Sequence, residues 1–164
     1  MSKIKRLFLY PAIFALIVIL PFSVAISQPL PSFQLQLSDG KTFSSKNISH
    51  SQPLILIYFA PDCEHCQVLM NAFFKRINEF RGAQIIMATF KPVNEVADFE
   101  NHYETHKYNN IKVGTEIPMF LFRAHYQLMN TPFTALYDKH GKLITSYKTE
   151  TPVDELIQRL KQLK

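Results

Sequence analysis

Tryptophan is absent from this 164-residue chain, cysteine occurs only twice, and no acidic residue lies within the first 27 positions. Two cysteines cannot staple a small disulfide scaffold, so the fold has to rest on a hydrophobic core. Fourteen phenylalanines and seven tyrosines supply the large side chains for it. Excess charge is lacking as well. The formal net charge is +5, from 18 basic and 13 acidic residues, and Lys3, Lys5 and Arg6 carry three of those five charges. The remainder, at +2, lacks the electrostatic footprint of a nucleic-acid binder.

The acid-free opening has the pattern of a secretory leader. Lys3, Lys5 and Arg6 precede an apolar run from Leu7 to Phe22, and the small residues Ala25 and Ser27 then stand at the spacing of a cleavage site. Residues 1–27 are therefore expected to be a signal peptide or, since the run approaches spanning length, an N-terminal membrane anchor through residues 7–22. No cysteine follows the run, so nothing supports a lipid-anchored terminus. Either outcome places residues 28–164, expected to form one domain, in the periplasm or on the outer face of the cytoplasmic membrane.

Both cysteines lie in the stretch Leu54-Ile55-Leu56-Ile57-Tyr58-Phe59-Ala60-Pro61-Asp62-Cys63-Glu64-His65-Cys66. Six apolar residues between Pro53 and Pro61 have the length and composition of a fully buried strand. From Gln67 to Phe80 apolar residues recur every three or four positions, which predicts a helix closed near Gly82. The pair thus falls on a strand-to-helix corner, where free N–H groups and the positive end of the helix dipole favour a thiolate. Cys63 is expected to be the attacking thiol. Cys66, one turn further in, would resolve a mixed disulfide formed on Cys63. Other readings of the pair are weaker on physical grounds. A structural bridge over so short a loop constrains the unfolded chain little, and a structural zinc site wants four ligands where only His65 stands beside the two thiols.

Elsewhere the elements alternate. Phe33-Gln34-Leu35-Gln36-Leu37, then Asp39-Gly40, then Thr42-Phe43 predict a half-buried hairpin, expected to be an edge ribbon. Ala83 to Phe90 predicts a second buried strand. Val93 to His106 predicts a helix, so the region implies crossover units with parallel strands. Tyr108 to Met129 is read only as a short helix with a return loop. Phe133 to Tyr137 and Lys142 to Tyr147 predict a hairpin across Asp138-Lys139-His140-Gly141. A last helix starts at Thr151, as N-cap, with Pro152 in its first position. The expected fold is α/β: a central mixed sheet flanked by helices, with an N-terminal β-hairpin extension.

The segment Tyr58 to Cys66 resembles the active-site segment of the thioredoxin superfamily, and Asn130-Thr131-Pro132-Phe133-Thr134 resembles its Thr-Pro segment. The "F-x-L-x-L-x-D-G-K" hairpin at Phe33–Lys41 resembles the N-terminal extension of exported reductases of the TlpA and ResA type. The resemblance implies a thioredoxin-like fold and a cis Pro132 facing the cysteines, with Thr131 and Pro132 binding substrate. It also implies that the residues around Cys63 and Cys66 tune the redox pair. His65, placed as in the oxidant DsbA, would favour the Cys63 thiolate, Glu64 would oppose it, and Asp62, standing where the family has tryptophan, would add negative charge or cap the helix. Ile57 replaces the buried acid that thioredoxin carries six residues before its first cysteine. The implied activity is thiol:disulfide oxidoreduction with no cofactor and no bound metal. Implied partners are protein thiols and disulfides of the cell envelope, such as cytochrome c precursors, together with a membrane electron donor. Two alternatives stand beside it: a metal carrier or binding module without turnover, and a redoxin-type peroxidase, against which Ala60 counts because a Thr or Ser is needed three residues before the nucleophile.

Overall fold

A computed structural model describes residues 28–163, so the leader expected at residues 1–27 lies outside the described residues. The described residues open with the hairpin β1 (Gln34–Gln36) and β2 (Thr42–Ser44), then run into β3 (Leu54–Phe59), α1 (Glu64–Lys75), β4 (Gln84–Thr89) and α2 (Val93–Tyr103). They continue through β5 (Ile111–Ile117), α3 (Leu121–Tyr126), β6 (Phe133–Tyr137), β7 (Leu143–Lys148) and α4 (Val153–Lys161). The seven strands of the described residues join one mixed sheet in the order β2-β1-β5-β4-β3-β6-β7. Strand β3 runs parallel to β4, which runs parallel to β5, as the crossover reading requires, while β6 and β7 pair antiparallel.

β3 is central because every one of its residues is buried, and only a strand covered on both faces can be apolar throughout. Ile55, Ile57 and Phe59 face a core shared with α1, α2 and α4, while Leu54, Leu56 and Tyr58 face one shared with α3. Burying each such side chain stabilises the fold by about 1.5–3 kcal/mol. Helices therefore cover both faces, three against one. Among the described residues no helix is long and apolar enough to cross a membrane.

Three expectations need correction, but the hairpin is the edge ribbon expected: β2 lies outermost, and β1 pairs antiparallel with β5, Leu35 opposite Glu116, and so extends the main sheet. Gly114 makes this approach feasible, since a Cβ there would stand 2.8 Å from Leu35 Cβ and 2.9 Å from the Gln36 carbonyl. Helix α1 begins at Glu64 and ends at Lys75, after which Ile77–Phe80 tightens into a separate 3₁₀ turn. The segment read as a helix and a loop also contains β5, a full strand that alternation obscured because Gly114 and Glu116 interrupt the apolar pattern. Finally, the cap of α4 is Pro152, not Thr151; the Thr151 hydroxyl is 2.7 Å from that of Thr134 instead.

Candidate active site

Strand β3 ends at the carboxyl edge of the sheet, where Pro61 stops the ladder and the chain turns into α1. Cys63 occupies the N-cap position with extended backbone, and its carbonyl accepts the first helical bond from the Gln67 N–H at 3.0 Å. No side chain caps this end, so Asp62 is not the cap that the sequence suggested. Its carboxylate pairs with Lys91 from the loop after β4. The first-turn N–H groups are left to face Cys63.

The two cysteines are free and approach to 3.2 Å. A disulfide needs about 2.05 Å between sulfurs, so a small movement closes it. Their environments differ sharply. Cys63 is half-buried; burial pushes its thiol up, but hydrogen bonding with the Thr131 side chain, with the Cys66 thiol and with the backbone N–H groups of Cys66 and His65 outweighs this and holds it below the usual thiol value. Cys66 is 1% exposed, and its burial pushes the thiol up to about 12, against the opposing bond from the Ala60 N–H at 3.5 Å. One thiol is thereby disposed to ionise and attack, the other to stay protonated until attack is due.

Opposite the pair lies the loop before β6. The Thr131–Pro132 bond is cis, as the resemblance implied, and the Cys63 thiol donates to the Thr131 carbonyl at 3.5 Å. Pro132 has no N–H, so it neither competes for that carbonyl nor donates to the active-site turn. Of the residues expected to tune the pair, Glu64 opens α1 and lies exposed, as does His65. His65 reaches Cys63 through its backbone N–H rather than through its ring. Among the described residues no cluster of three His, Cys, Asp or Glu side chains is placed to hold a metal ion.

Sequence reasoning missed Glu116. It is 3% exposed at the end of β5, on the α3 face beside Tyr58. Its Oε1 accepts from the Tyr58 hydroxyl at 2.7 Å and from the Phe120 N–H at 2.9 Å; its Oε2 accepts from the Phe122 N–H at 2.9 Å. Glu116 thus pins the turn after Ile117, which contains a second cis bond at Ile117–Pro118 and a left-handed Phe120. The acid missing at Ile57 is not replaced by this one, because Ile57 packs on the α1 face with Cys66 and Glu116 lies on the other. The only available signal was a glutamate inside a strand-length segment, and its neighbours Lys112 and Thr115 made the stretch read as polar.

A free, electrically unequal dithiol at a strand-to-helix corner, facing a Thr-Pro loop on a mixed sheet, defines a thioredoxin-like protein. Residues 26–161 match the AhpC/TSA family model, and the chain belongs to that family. Solved structures of the same fold include a secreted Mycobacterium tuberculosis disulfide oxidoreductase homologous to E. coli DsbE, at 17% identity and TM-score 0.65, covering 80% of this chain and 96% of that one. The exposed lipoprotein thioredoxin Etrx1 of Streptococcus pneumoniae is similar at 24% identity and TM-score 0.60, over 81% of this chain and 100% of that one. A peroxiredoxin-like protein from Aquifex aeolicus aligns at 14% identity and TM-score 0.69, over 84% of this chain and 86% of that one. No curated protein matches the sequence significantly.

Proposed function

We propose that this protein is an exported thiol:disulfide oxidoreductase that uses Cys63 and Cys66 to reduce or exchange disulfides of envelope proteins. The observation that carries the reading is the placement of two free thiols 3.2 Å apart at the start of α1, Cys63 half-buried at the N-cap and Cys66 sealed in the core.

In the reducing direction the Cys63 thiolate attacks one sulfur of a partner disulfide. The partner's other sulfur leaves as a thiolate and takes up a proton. Cys66 then gives up its proton and attacks the Cys63 sulfur, which closes the Cys63–Cys66 disulfide and frees the second partner thiol. Two electrons pass to the partner, and a dithiol donor must return them. Thr131 would hold an extended partner segment through its backbone, beside Pro132. Glu64, His65 and Asp62 would adjust the potential from the exposed corner, where solvent screening limits each of them. A leader at residues 1–27 would deliver the domain outside the cytoplasm, in keeping with relatives described as secreted or as an exposed lipoprotein. There its partners would be thiols such as those of cytochrome c precursors, and a membrane protein would supply the electrons.

The family match and the peroxiredoxin-like relative favour a second reading, peroxide reduction at Cys63. Ala60 weighs against it, because its methyl group offers no hydroxyl to a bound peroxide three residues before the nucleophile.

Equilibration of the full-length protein in glutathione buffers, with Cys63→Ser as control, tests the proposal. A two-electron transition that vanishes in the variant is expected. A potential near roughly −270 mV would assign a reductase, and one near roughly −120 mV an oxidant. Absence of exchange, or peroxide turnover at a rate exceeding disulfide exchange, would overturn it.

A further inference from the structure

The dithiol is flanked on two sides. The Thr131–Pro132 loop lies on one; on the other a cavity of about 530 Å³ opens between α1 and α2, and the proposed mechanism makes no use of it. Its lining is apolar and aromatic: Pro61 and Tyr103 present half-buried surface over a floor of Phe59 from the end of β3, Met70 from α1 and Phe99 from α2, which are nearly closed to solvent, with the Phe59 and Phe99 rings 4.6 Å apart. Cys66 forms part of its wall. Asp62, Glu95 and Asp98 stand around its mouth.

Charge at that mouth is unbalanced. Asp62 is answered by Lys91, whose charge also acts on Glu95 from outside the lining; neither Glu95 nor Asp98 takes part in an ion pair among the described residues, and the one basic group on the lining is His102. Tyr103, whose hydroxyl donates to Asn71 across the opening at 3.0 Å, keeps the α1 and α2 walls in a fixed relation. A fixed greasy floor under a negative lip selects for an apolar group with a cation next to it. The cavity is also large enough for a bulky side chain and its neighbour, and its lining includes Asp62, the residue before Cys63, as well as Cys66.

Resting on the oxidoreductase reading, we infer that this cavity selects the partner: it receives a bulky apolar side chain, followed by an arginine or lysine, from the polypeptide segment that carries the partner's reactive cysteine. The apolar group sits over Phe59, Met70 and Phe99, and the cation lies between Glu95 and Asp98. With the segment so held, the mixed disulfide on Cys63 forms against the wall that contains Cys66, the thiol that must resolve it.

The test uses the reduced full-length protein and three synthetic peptides, each linked through its cysteine to mercaptoethanol: Cys-Gly-Phe-Arg, Cys-Gly-Phe-Glu and Cys-Gly-Ser-Arg. Second-order rates of reduction are divided by each protein's rate with hydroxyethyl disulfide, which is neutral and too small to reach the lip. At low ionic strength the Phe-Arg peptide is expected to react about fivefold faster than the Phe-Glu peptide, a preference that added salt removes. The Ser-Arg peptide should be about tenfold slower than Phe-Arg, since it leaves the floor uncovered. In the variant Glu95→Gln/Asp98→Lys, which changes side chains at the rim and leaves the floor intact, the Arg-over-Glu preference should vanish or invert. Equal rates for the three peptides, or a preference that survives in the variant, would overturn the inference while leaving the oxidoreductase reading standing. Failure of the wild-type protein to reduce even hydroxyethyl disulfide would bring down both.

Discussion

Cys63 and Cys66 carry the same chemical group and differ only in where the chain puts it. Cys63 caps α1, where first-turn N–H groups stabilise its thiolate; Cys66 is sealed among Phe59, Leu69 and Met70, where a charge would be poorly solvated. Alkylation of the reduced protein with iodoacetamide should therefore modify Cys63 alone. Its rate should reach half-maximum at a pH below that of a free thiol, and mass spectrometry should find Cys66 unmodified up to about pH 10. Glu116 illustrates the opposite use of a buried ionisable group. Its carboxylate satisfies two backbone N–H groups and the Tyr58 hydroxyl, so Glu116→Ala leaves three donors without a partner in a dry site. A loss of about 3 kcal/mol is expected, read as a lower urea midpoint at unchanged m-value, with dithiol exchange on small disulfides retained.

Among the elements, the hairpin β1–β2 and strand β5 depend on each other. Gly114 lets the two backbones approach, and any side chain there meets Leu35 and the Gln36 carbonyl at less than 3.0 Å. Gly114→Ala should cost about 1–3 kcal/mol and loosen the hairpin first, which hydrogen exchange would report as lost protection at Gln34 and Gln36 ahead of β3. Helix α1 has the reverse design. It begins without a side-chain cap because Asp62 is held by Lys91, and the exposed dipole end is left to the sulfur of Cys63.

For the molecule as a whole, redox state and stability are linked through the two thiols. Cys63 has a lowered folded pKa, so the stability it contributes is present above the unfolded thiol value and is lost as pH falls through the folded one. Cys66 has a raised folded pKa, so its contribution is present below the unfolded value, about 8.5, and is lost as pH rises towards about 12. The oxidised protein has neither group to titrate. Unfolding free energy of the reduced form, relative to the oxidised form, should thus rise slightly with pH just below 8.5. Above it the difference should fall by up to about 1.4 kcal/mol per pH unit, as urea titrations of both forms from pH 7 to 11 would measure. Other titrating groups, such as the buried tyrosines, are common to both forms and cancel.

The sequence by itself determined what depends on local pattern. Six buried residues in a row made β3, the period of Leu69, Met70 and Phe73 made α1, Asp39-Gly40 and His140-Gly141 turned the hairpins, and the two-residue spacing of the cysteines set the chemistry. Each of these follows from backbone propensity or side-chain periodicity over a dozen residues or fewer. Tertiary structure alone decided the rest, because it concerns residues far apart in the chain. β5 could not be read from its own residues, since Gly114 and Glu116 make sense only against Leu35 and Tyr58. Asp62 could be assigned to Lys91 rather than to a helix cap only once β4 and β3 lay side by side. The difference between the two thiols, and the cavity beside them, exist only where α1, α2 and the Thr131–Pro132 loop converge, and no stretch of the chain contains that convergence.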